Sequence, residues 1–350
     1  MSCDTFDMTT DAPLSIAHLL LTRRFAGTER HAVELANAQA AQGHDVTLIL
    51  RKAGAEDRPD AIAHRVSKDV RVIVVGDLLS PWQARRALKK LKPDIAHAHL
   101  SGGARALKGW RRTHTPRIAT LHIRYKPQQH DELDGLIAIA PWQFDDMPPR
   151  LRANSVQIDN WTVPREASAD ARMRLRKEFG IAQDAFVFGA LGRAESSKGL
   201  DVLVDAWKRA ALPADARLVI VGQGGAWDAV RAQAADDVVM PGFTDVPRDW
   251  LEAFDVFVTA ARSEPFGLVL LEAMGARLPI LASASEGATH LRDVIETPLV
   301  PVGDADTLAA SLRQMYGARP VRRDYPMQRF NIDDKLAEVE AFYRARITRG

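Results

Sequence analysis

Two carboxylates, Glu264 and Glu272, stand eight positions apart in the segment SEPFGLVLLEAMGARLPI, residues 263–280. Glu264 precedes a Pro-x-Gly turn, and Glu272 lies inside an apolar run that predicts a buried helix over 267–276. A carboxylate in such a helix is costly unless a partner satisfies it. Its oxygens could accept hydrogen bonds from a vicinal diol, such as a ribose offers. The structural alternatives are a salt bridge for Glu272 and helix capping for Glu264.

Two cations, Arg193 and Lys198, lie five positions apart at and after the end of the apolar run FVFGALGR, residues 186–193. Gly199 follows directly and opens a predicted helix over 199–211. Free N–H groups at a helix N-terminus, with a guanidinium that can bind two oxygens at once, form a good receptor for a diphosphate. The alternative is a pair of surface cations beside a capped helix start.

Three further turns follow predicted strands and could bring the backbone close to a ligand. Gly222 lies in the Gly-x-Gly turn of VIVGQGG, and Phe243 lies in the loop PGFTDV, whose backbone could contact a nucleobase edge. Gly27 lies in FAGTER, between a strand and a helix start, which suits a phosphate. None completes the G-x-G-x-x-G fingerprint of dinucleotide binding, and for VIVGQGG a simple tight turn is equally consistent with the sequence.

Three histidines, His97, His99 and His122, end predicted strands, where a side chain can face a ligand. Their positions are too scattered to predict a metal site, and no Asp-x-Asp pair ends a predicted strand to hold a divalent cation on phosphates. We therefore expect no metal and no separate cofactor. For each histidine the alternative is a structural role.

Strand-like and helix-like segments alternate along the chain, which is typical of α/β proteins with parallel sheets. The predicted strands fall into two sets that meet near residue 160: 14–21, 45–50, 71–76, 94–100, 117–122 and 133–140, then 186–193, 217–222, 237–242, 255–260 and 278–283. The predicted helices span 31–43, 81–92, 167–180, 199–211, 225–235, 267–276, 303–316 and 333–347. The pattern predicts two doubly wound units. In such sheets the ligand site lies beyond the carboxyl ends of the strands.

The composition is that of an ordinary globular protein, with 350 residues of which 46% are hydrophobic and 26% charged. The single cysteine, Cys3, excludes a disulfide framework and fits a reducing compartment. The first 15 residues are polar and acidic, unlike a signal peptide, and no apolar run approaches the roughly 18 residues that span a bilayer. We expect a soluble, cytoplasmic protein.

Positive charge is concentrated in residues 81–130, although the net charge of the chain is only +2. This basic block contains 12 Lys and Arg residues and one acid, Asp94. Such a block could face an anionic membrane, an anionic acceptor or nucleic acid, or it could be a solvated helix face.

The segments GRAESSKG, VIVGQGG, PGF and SEPFGLVLLEAMGARLPI resemble the donor-binding half of retaining glycosyltransferases of family 4, whose E-x7-E signature Glu264 and Glu272 match. The segments AGTERHAVELANAQAAQGHDV, DIAHAHL and ATLH are similar to the N-terminal domain of that family. The resemblance implies an α/β protein of the GT-B fold, in which two Rossmann-like doubly wound domains face a central cleft. The acceptor-side domain would span 1–163 and the donor-binding domain 164–322, and the C-terminal helix of 323–350 would cross back to the first domain.

The resemblance also implies a role for each matching residue. Arg193 and Lys198 would bind the donor diphosphate, and Glu272 would bind the ribose hydroxyls. Glu264 would contact the hydroxyls of the transferred sugar, and His122 would approach that sugar from the other domain. Arg193, Lys198, Glu264 and His122 thus form the predicted catalytic set. The further predicted donor-binding residues are Gly27, Gly222, Phe243, Phe266, Gly267 and Leu268.

The leading hypothesis is a metal-independent, retaining transfer of a sugar from a UDP- or GDP-sugar to a hydroxyl acceptor. The acceptor would be a lipid-linked, lipopolysaccharide or other cell-envelope glycan, reached at the cytoplasmic face of the membrane through the basic block. The alternatives are a sugar-nucleotide epimerase on the same fold and a non-catalytic partner of another transferase. Retention of both cations and both carboxylates argues against the non-catalytic partner. A nucleic-acid binder would explain the basic block but not the E-x7-E helix.

Overall fold

The computed structural model describes residues 12–347 except 24, 59, 111–113 and 165. Its contacts divide the described chain into an N-terminal unit, residues 12–160 with 332–347, and a C-terminal unit, residues 161–331. The predicted domain boundaries stood at 163/164 and 322/323. Cys3 and most of the acidic N-terminal segment lie outside the described residues, as do Arg111 and Arg112 of the basic block.

The N-terminal unit is built on a sheet of parallel strands. In its described part the strands are β1 (Ser15–Leu20), β2 (Asp45–Arg51), β3 (Arg71–Val75), β4 (Ile95–His99), β5 (Arg117–Leu121), β6 (Gly135–Ala138) and β7 (Val156–Gln157). Their order across the sheet is β3-β2-β1-β4-β5-β6-β7. The helices are α1 (Gly27–Ala41), α2 (Ser80–Leu91), α3 (Leu100–Lys108), α4 (Pro127–His130) and α5 (Pro149–Arg152).

The C-terminal unit contains a second parallel sheet. Its described strands are β8 (Phe186–Leu191), β9 (Ala216–Val221), β10 (Val238–Gly242), β11 (Val256–Thr259) and β12 (Ile280–Ala282), in the order β10-β9-β8-β11-β12. The helices are α6 (Ala171–Glu178), α7 (Leu200–Ala210), α8 (Trp227–Gln233), α9 (Pro247–Ala253), α10 (Leu268–Gly275), α11 (Glu286–His290), α12 (Arg292–Ile295) and α13 (Ala305–Ala318). Short 3₁₀ turns span Lys52–Gly54, Ala63–Arg65, Pro141–Phe144, Ser196–Lys198 and Met327–Phe330.

The last helix, α14 (Ile332–Ile347), packs on the N-terminal unit, as the fold prediction required. Its Arg346 donates to the Oδ1 of Asn154 at 2.7 Å, and its Glu340 lies 3.4 Å from the Nε2 of His44. Phe342 of the same helix lies against Gly135, where an added Cβ would come within 2.9 Å of the ring. Helices cover both faces of a parallel sheet and bury its strands on both sides. The sequences of these strands are therefore nearly continuous apolar runs.

The two faces of β1 show how the N-terminal core is divided. Leu19 and its neighbours on one face join a buried cluster with Leu88 of α2 and Leu107 of α3. On the other face, Leu20 packs with Val33 of α1 and with β2. In the C-terminal unit the core lies between β8, α7 and α13, with side chains that include Phe188, Leu203, Trp207 and Leu312.

In each sheet the strand order reverses direction at one point, between β1 and β4 and between β8 and β11. Ligands of open α/β sheets bind beyond the carboxyl ends of the strands at such a switch point. The loops after these four strands are therefore the ones that can position a site.

Several predicted elements differ from the observed ones. Helix α1 begins at Gly27 and not at residue 31, so Gly27 is the first residue of the helix and does not precede it in a loop. The prediction did not include the short strand β7 or the helices α3, α4, α5, α9, α11 and α12. Among the described residues, no helix combines the length and the apolar composition that crossing a bilayer requires.

Candidate functional site

At the switch point of the C-terminal sheet, the loops after β8 and β11 bring Lys198 and Glu264 together. The Lys198 ammonium donates a hydrogen bond to Glu264 Oε2 and forms an ion pair with it. The two side chains are 28% and 16% exposed, so the pair stays within reach of a ligand. Arg193 follows β8 and is exposed, and its guanidinium has no ion-pair or hydrogen-bond partner among the described residues. The carboxyl edge of the C-terminal sheet thus presents one cation without a partner in the described part of the chain, Arg193, and one ion pair, Lys198–Glu264.

Arg262, a residue that the sequence interpretation missed, holds these two loops together. Its guanidinium binds both carboxylate oxygens of Asp201 in the first turn of α7, at 2.7 and 2.6 Å, and donates to the Ser196 carbonyl at 2.9 Å. Its backbone N–H donates to the Ser197 carbonyl at 2.8 Å. The hydrogen bonds from Arg262 hold the pKa of the Asp201 carboxyl below its usual range. This bidentate contact fixes the loop on which Glu264 lies.

Glu286, a second residue that the prediction missed, orders the backbone of Glu264. The N–H of Glu264 donates to Glu286 Oε2 at 3.1 Å, and the N–H of Gly287 donates to the Glu264 carbonyl at 2.7 Å. The Glu264 side chain therefore projects from a backbone that is held on both sides. The roles of Arg262 and Glu286 could not be predicted from residue spacing, because each side chain contacts a loop that is distant in the sequence.

The segment between β11 and α10 places the remaining residues of the E-x7-E signature. Gly267 precedes α10 with φ +94°, in the left-handed region that favours glycine, and Leu268 is the first helical residue. The Phe266 side chain is buried beside the rings of His290 and Phe330, at centroid distances of 5.6 and 6.4 Å. Phe266 can thus offer only its backbone to a ligand. Glu272 is half-buried in the second turn of α10.

Gly222 and Phe243 lie in the loops after β9 and β10. Gly222 has φ +131°, and a Cβ at this position would lie 1.8 Å from the Gly192 carbonyl oxygen, so only glycine fits between the loops after β8 and β9. Its N–H donates to the Gly242 carbonyl at 2.7 Å. The next residue, Phe243, is 74% exposed, as a side chain available to a ligand would be.

Helices α7 and α10 begin at this same edge, because each follows a strand of the parallel sheet through a short loop. A helix N-terminus carries partial positive charge and unpaired N–H groups. With Arg193 and Lys198 nearby in sequence, the edge is suited to an anionic ligand such as a diphosphate.

In the N-terminal unit, the predicted residues Gly27 and His122 belong to the loops after β1 and β5. Gly27 opens α1, whose N-terminus lies at the carboxyl edge of that sheet. His122 directly follows β5 and is 7% exposed. The structure thus places these two residues in one unit and the other predicted site residues in the other.

The predicted strand-end histidines are not scattered: the fold gathers them on one face of the N-terminal sheet with two further histidines. His18 of β1 pairs in register with His97 of β4, and His99 lies two residues further along the same face. His31 of α1 lies above them, with its ring centroid 4.9 Å from that of His122. Burial lowers the pKa of His18 to about 4 and of His122 to about 3, and holds the pKa values of the other three well below the usual range.

His18, His97 and His99 each offer a nitrogen within 4.8 Å of the others, which is a grouping that could hold a metal ion. All six ring nitrogens nevertheless have protein partners: Gln39 and His99 for His18, Tyr343 and Thr120 for His97, and His18 and His122 for His99. A metal ion would have to displace these hydrogen bonds. The three rings are therefore satisfied without a metal, whereas the buried amide nitrogen of Gln39, Nε2, has no hydrogen-bond partner among the described residues.

Comparison with known proteins identifies the class. The family model described as "Glycosyltransferase Family 4" matches residues 25–182, and the model "Glycosyl transferases group 1" matches residues 185–317. The chain belongs to glycosyltransferase family 4 and has the GT-B fold.

Relatives of similar length agree. The chain is 26% identical over 324 residues to the lipopolysaccharide core biosynthesis glycosyltransferase LpsE of Rhizobium meliloti, covering 85% of this chain and 87% of that one. It is 26% identical over 344 residues to the phosphatidyl-myo-inositol mannosyltransferase of Mycobacterium leprae, covering 85% and 88%. The crystal structure of Anabaena Alr3699/HepE in complex with UDP and glucose superposes with a TM-score of 0.71 at 18% identity, covering 96% and 95%.

Proposed function

We propose that the protein is a retaining glycosyltransferase that moves a sugar from a UDP- or GDP-sugar to a hydroxyl of a glycolipid or lipopolysaccharide acceptor. The observation that carries this proposal is the ion pair of Lys198 and Glu264 at the switch point of the C-terminal sheet, beside the unengaged Arg193. A pocket for an anionic sugar donor needs cations for the diphosphate and a carboxylate for sugar hydroxyls, and this edge presents both.

The donor roles follow from the chemistry of each group. Arg193 and Lys198 bind the diphosphate, with help from the N-termini of α7 and α10. Glu264 accepts hydrogen bonds from hydroxyls of the transferred sugar, and Glu272 accepts them from the ribose. The paired state of Lys198 keeps both side chains satisfied before the donor arrives. The backbone N–H groups of Phe266, Gly267 and Leu268 and the loops of Gly222 and Phe243 contact the rest of the donor.

The reaction proceeds on one face of the sugar. The bond from the anomeric carbon to the diphosphate oxygen breaks, and the bond from the same carbon to the acceptor oxygen forms on that face. The acceptor proton passes to the leaving diphosphate oxygen. The protein supplies orientation and stabilises the developing negative charge through Lys198, Arg193 and the helix N-termini, so Glu264 need not act as a nucleophile. No metal ion enters this scheme.

The acceptor class is inferred from the names of the relatives and from the surface of α2. LpsE is named for lipopolysaccharide core biosynthesis, and the mannosyltransferase is named for a phosphatidylinositol lipid. On this chain, the cations of the basic block outside α2 are partly neutralised: Lys108 lies 3.5 Å from Glu132 and Arg117 lies 3.0 Å from Asp134.

The cations of α2, by contrast, have no ion-pair partner among the described residues. Arg86, Lys89 and Lys90 are exposed, and Leu78, Leu79 and Trp82 beside them are 85%, 72% and 55% exposed. Side chains of β3 and α2, among them Ile73, Trp82 and Lys90, line a groove of about 500 Å³ on this surface. Exposed apolar side chains flanked by cations are typical of a surface that meets an anionic membrane. We propose that this surface holds the enzyme on the cytoplasmic face of the membrane, next to its acceptor.

The test is a transfer assay with purified protein. A thermal-shift screen against UDP-, GDP- and ADP-sugars first selects the donor, and transfer to lipopolysaccharide core or phosphatidylinositol acceptors is then measured with and without EDTA. We expect nucleoside diphosphate release that depends on the acceptor, unchanged by EDTA, and a product whose anomeric configuration by NMR equals that of the donor. An inverted product would refute the retaining mechanism, and an altered nucleotide sugar formed from donor alone would identify an epimerase.

A further inference from the structure

An unbroken chain of side-chain hydrogen bonds runs through the N-terminal unit from Gln39 of α1 to His122. Gln39 Oε1 lies 2.6 Å from His18 Nε2, and His18 Nδ1 lies 3.0 Å from His99 Nε2. His99 Nδ1 lies in turn 3.1 Å from His122 Nε2. Gln39, His18 and His99 are at most 1% exposed, so protein groups alone set the order of protons along this chain.

The direction of each hydrogen bond follows from the first. A neutral imidazole has one N–H donor and one acceptor nitrogen, and an amide oxygen only accepts. With the amide oxygen of Gln39 facing the ring, His18 donates to it from Nε2, which leaves His18 Nδ1 as an acceptor. His99 then donates from Nε2, and for the same reason His122 does so as well. One amide oxygen thus selects the Nε2–H tautomer of three rings.

This assignment of donors and acceptors requires that the rings of His18, His99 and His122 be neutral, and they are. Burial in a low-dielectric interior disfavours the charged form, and it lowers the pKa of each of these histidines far below neutrality. His97 stays outside the chain. Its Nδ1 lies 2.6 Å from the Tyr343 hydroxyl and its Nε2 lies 2.8 Å from Thr120 Oγ1, and either hydroxyl can donate or accept.

At the outer end of the chain, His122 Nδ1 makes no hydrogen bond to any described residue. With the proton on Nε2, this nitrogen carries a lone pair. It is then an acceptor for a hydroxyl group and cannot donate to one.

We propose that Gln39, acting through His18 and His99, fixes His122 as the Nε2–H tautomer and so presents Nδ1 as a hydrogen-bond acceptor to a ligand hydroxyl. Gln39, His18 and His99 are positioning residues that do not touch the ligand. The identity of the hydroxyl as one of the transferred sugar rests on the proposed function, but the tautomer does not.

The tautomers can be observed directly by ¹⁵N NMR of the histidine rings, because protonated and unprotonated ring nitrogens have separate chemical-shift ranges. The unliganded full-length protein is measured near pH 7.5, and the signals are assigned with single His→Gln variants. We expect His18, His99 and His122 each to show a protonated Nε2 and an unprotonated Nδ1. A protonated Nδ1 on His122 would overturn the proposal, since it would mean that the proton order runs the other way.

Two variants at one position test the control by Gln39. Gln39→Met removes the acceptor at similar size, and we expect the His122 signals to move toward the average of two tautomers. Gln39→Glu keeps an acceptor oxygen, and we expect His18 Nε2 to stay protonated in this variant. An unchanged His122 pattern in Gln39→Met would refute the role of Gln39.

A protein without sugar transfer but with this tautomer pattern would refute the proposed function alone, whereas active protein with the reverse pattern would refute only this inference.

Discussion

At the scale of single residues, the proposed donor site contains two side chains that touch each other. Lys198 and Glu264 form an ion pair in which both side chains are largely shielded from solvent. In the proposed function, Lys198 binds the donor diphosphate and Glu264 binds hydroxyls of the transferred sugar. Groups in direct contact do not contribute independently, so their variants should not be additive.

We predict that Lys198→Ala and Glu264→Ala each lower turnover at least about tenfold, about 1.4 kcal/mol of barrier. In the double variant, the loss should be smaller than the product of the two single losses, because the second substitution removes a partner that has already lost its contact. Steady-state kinetics of the four proteins measure this. Lys208→Ala and Glu178→Ala, on exposed helix positions of the same unit, are matched controls that should keep wild-type turnover. Wild-type turnover in both site variants would refute the assignment.

The signature residues could be predicted because they are local. Glu264 and Glu272 are separated only by the turn through Gly267 and by the first turn of α10, so both belong to one short segment whose pattern matches the family signature. The histidine network could not be predicted from the same sequence. His18 is one polar residue in an apolar strand, and only the register that pairs it with His97 reveals that the two share a face. Gln39 and Tyr343 come from helices far apart in the chain, and no spacing rule connects them.

At the scale of elements, the loops after β8 and β9 approach too closely for any side chain at Gly222. We predict that Gly222→Ala lowers the free energy of unfolding by about 2 kcal/mol, because its Cβ would meet the Gly192 carbonyl and its φ is positive. Gly317 lies inside α13 with open space around it, so Gly317→Ala should instead raise stability by up to about 1 kcal/mol. Urea denaturation of both variants measures the difference. Equal stability of Gly222→Ala and wild type would contradict the close approach.

Helix α2 is the element on which the membrane proposal depends. We predict that changing Arg86, Lys89 and Lys90 to Glu lowers co-sedimentation with anionic vesicles at least about tenfold, because attraction to anionic lipids contributes roughly 1 kcal/mol per cation. Arg85 is left unchanged, since its guanidinium packs against Gly109. The control reverses the same number of charges on exposed cations of the C-terminal unit: Lys177, Lys208 and Arg231. Equal loss in both variants would indicate a response to net charge, and no loss in either would refute a role of α2.

The order of elements was the most predictable feature, because alternating strands and helices specify parallel sheets with few options. The boundaries were less predictable. Helix α1 starts four residues before its apolar pattern does, because Gly27 opens the helix ahead of its buried face. Helix α3 was not predicted because it follows β4 directly, and the sequence shows no turn residues between the two. The change of direction occurs at Leu100, which has a left-handed backbone conformation.

At the scale of the whole molecule, the buried histidines couple stability to pH. Their pKa values are lowered in the folded protein, so the unfolded chain takes up protons at about pH 6.5 while the folded chain stays neutral until about pH 4 for His18. Stability is therefore complete above about pH 6.5 and falls as the pH drops through this window. Each histidine contributes up to about 1.4 kcal/mol per pH unit.

We predict that urea unfolding at pH 7.5, 6.0 and 5.0 shows this decline, and that His97→Gln shows a shallower slope because one proton-binding group is gone. The slope is the readout, since the substitution also changes stability at pH 7.5. A slope that is identical in the two proteins would mean that His97 is not held neutral by burial.

The proposed function requires that the carboxyl edge of the C-terminal sheet bind a nucleoside diphosphate sugar through Lys198. Calorimetric titration with whichever of UDP, GDP and ADP raises the melting temperature most tests it directly. We predict saturable binding to the wild type and to the control Lys208→Ala, and at least about tenfold weaker binding to Lys198→Ala, which is about 1.4 kcal/mol. Equal affinity of Lys198→Ala and the wild type, or no binding of any of the three nucleotides, would contradict a donor site at this edge.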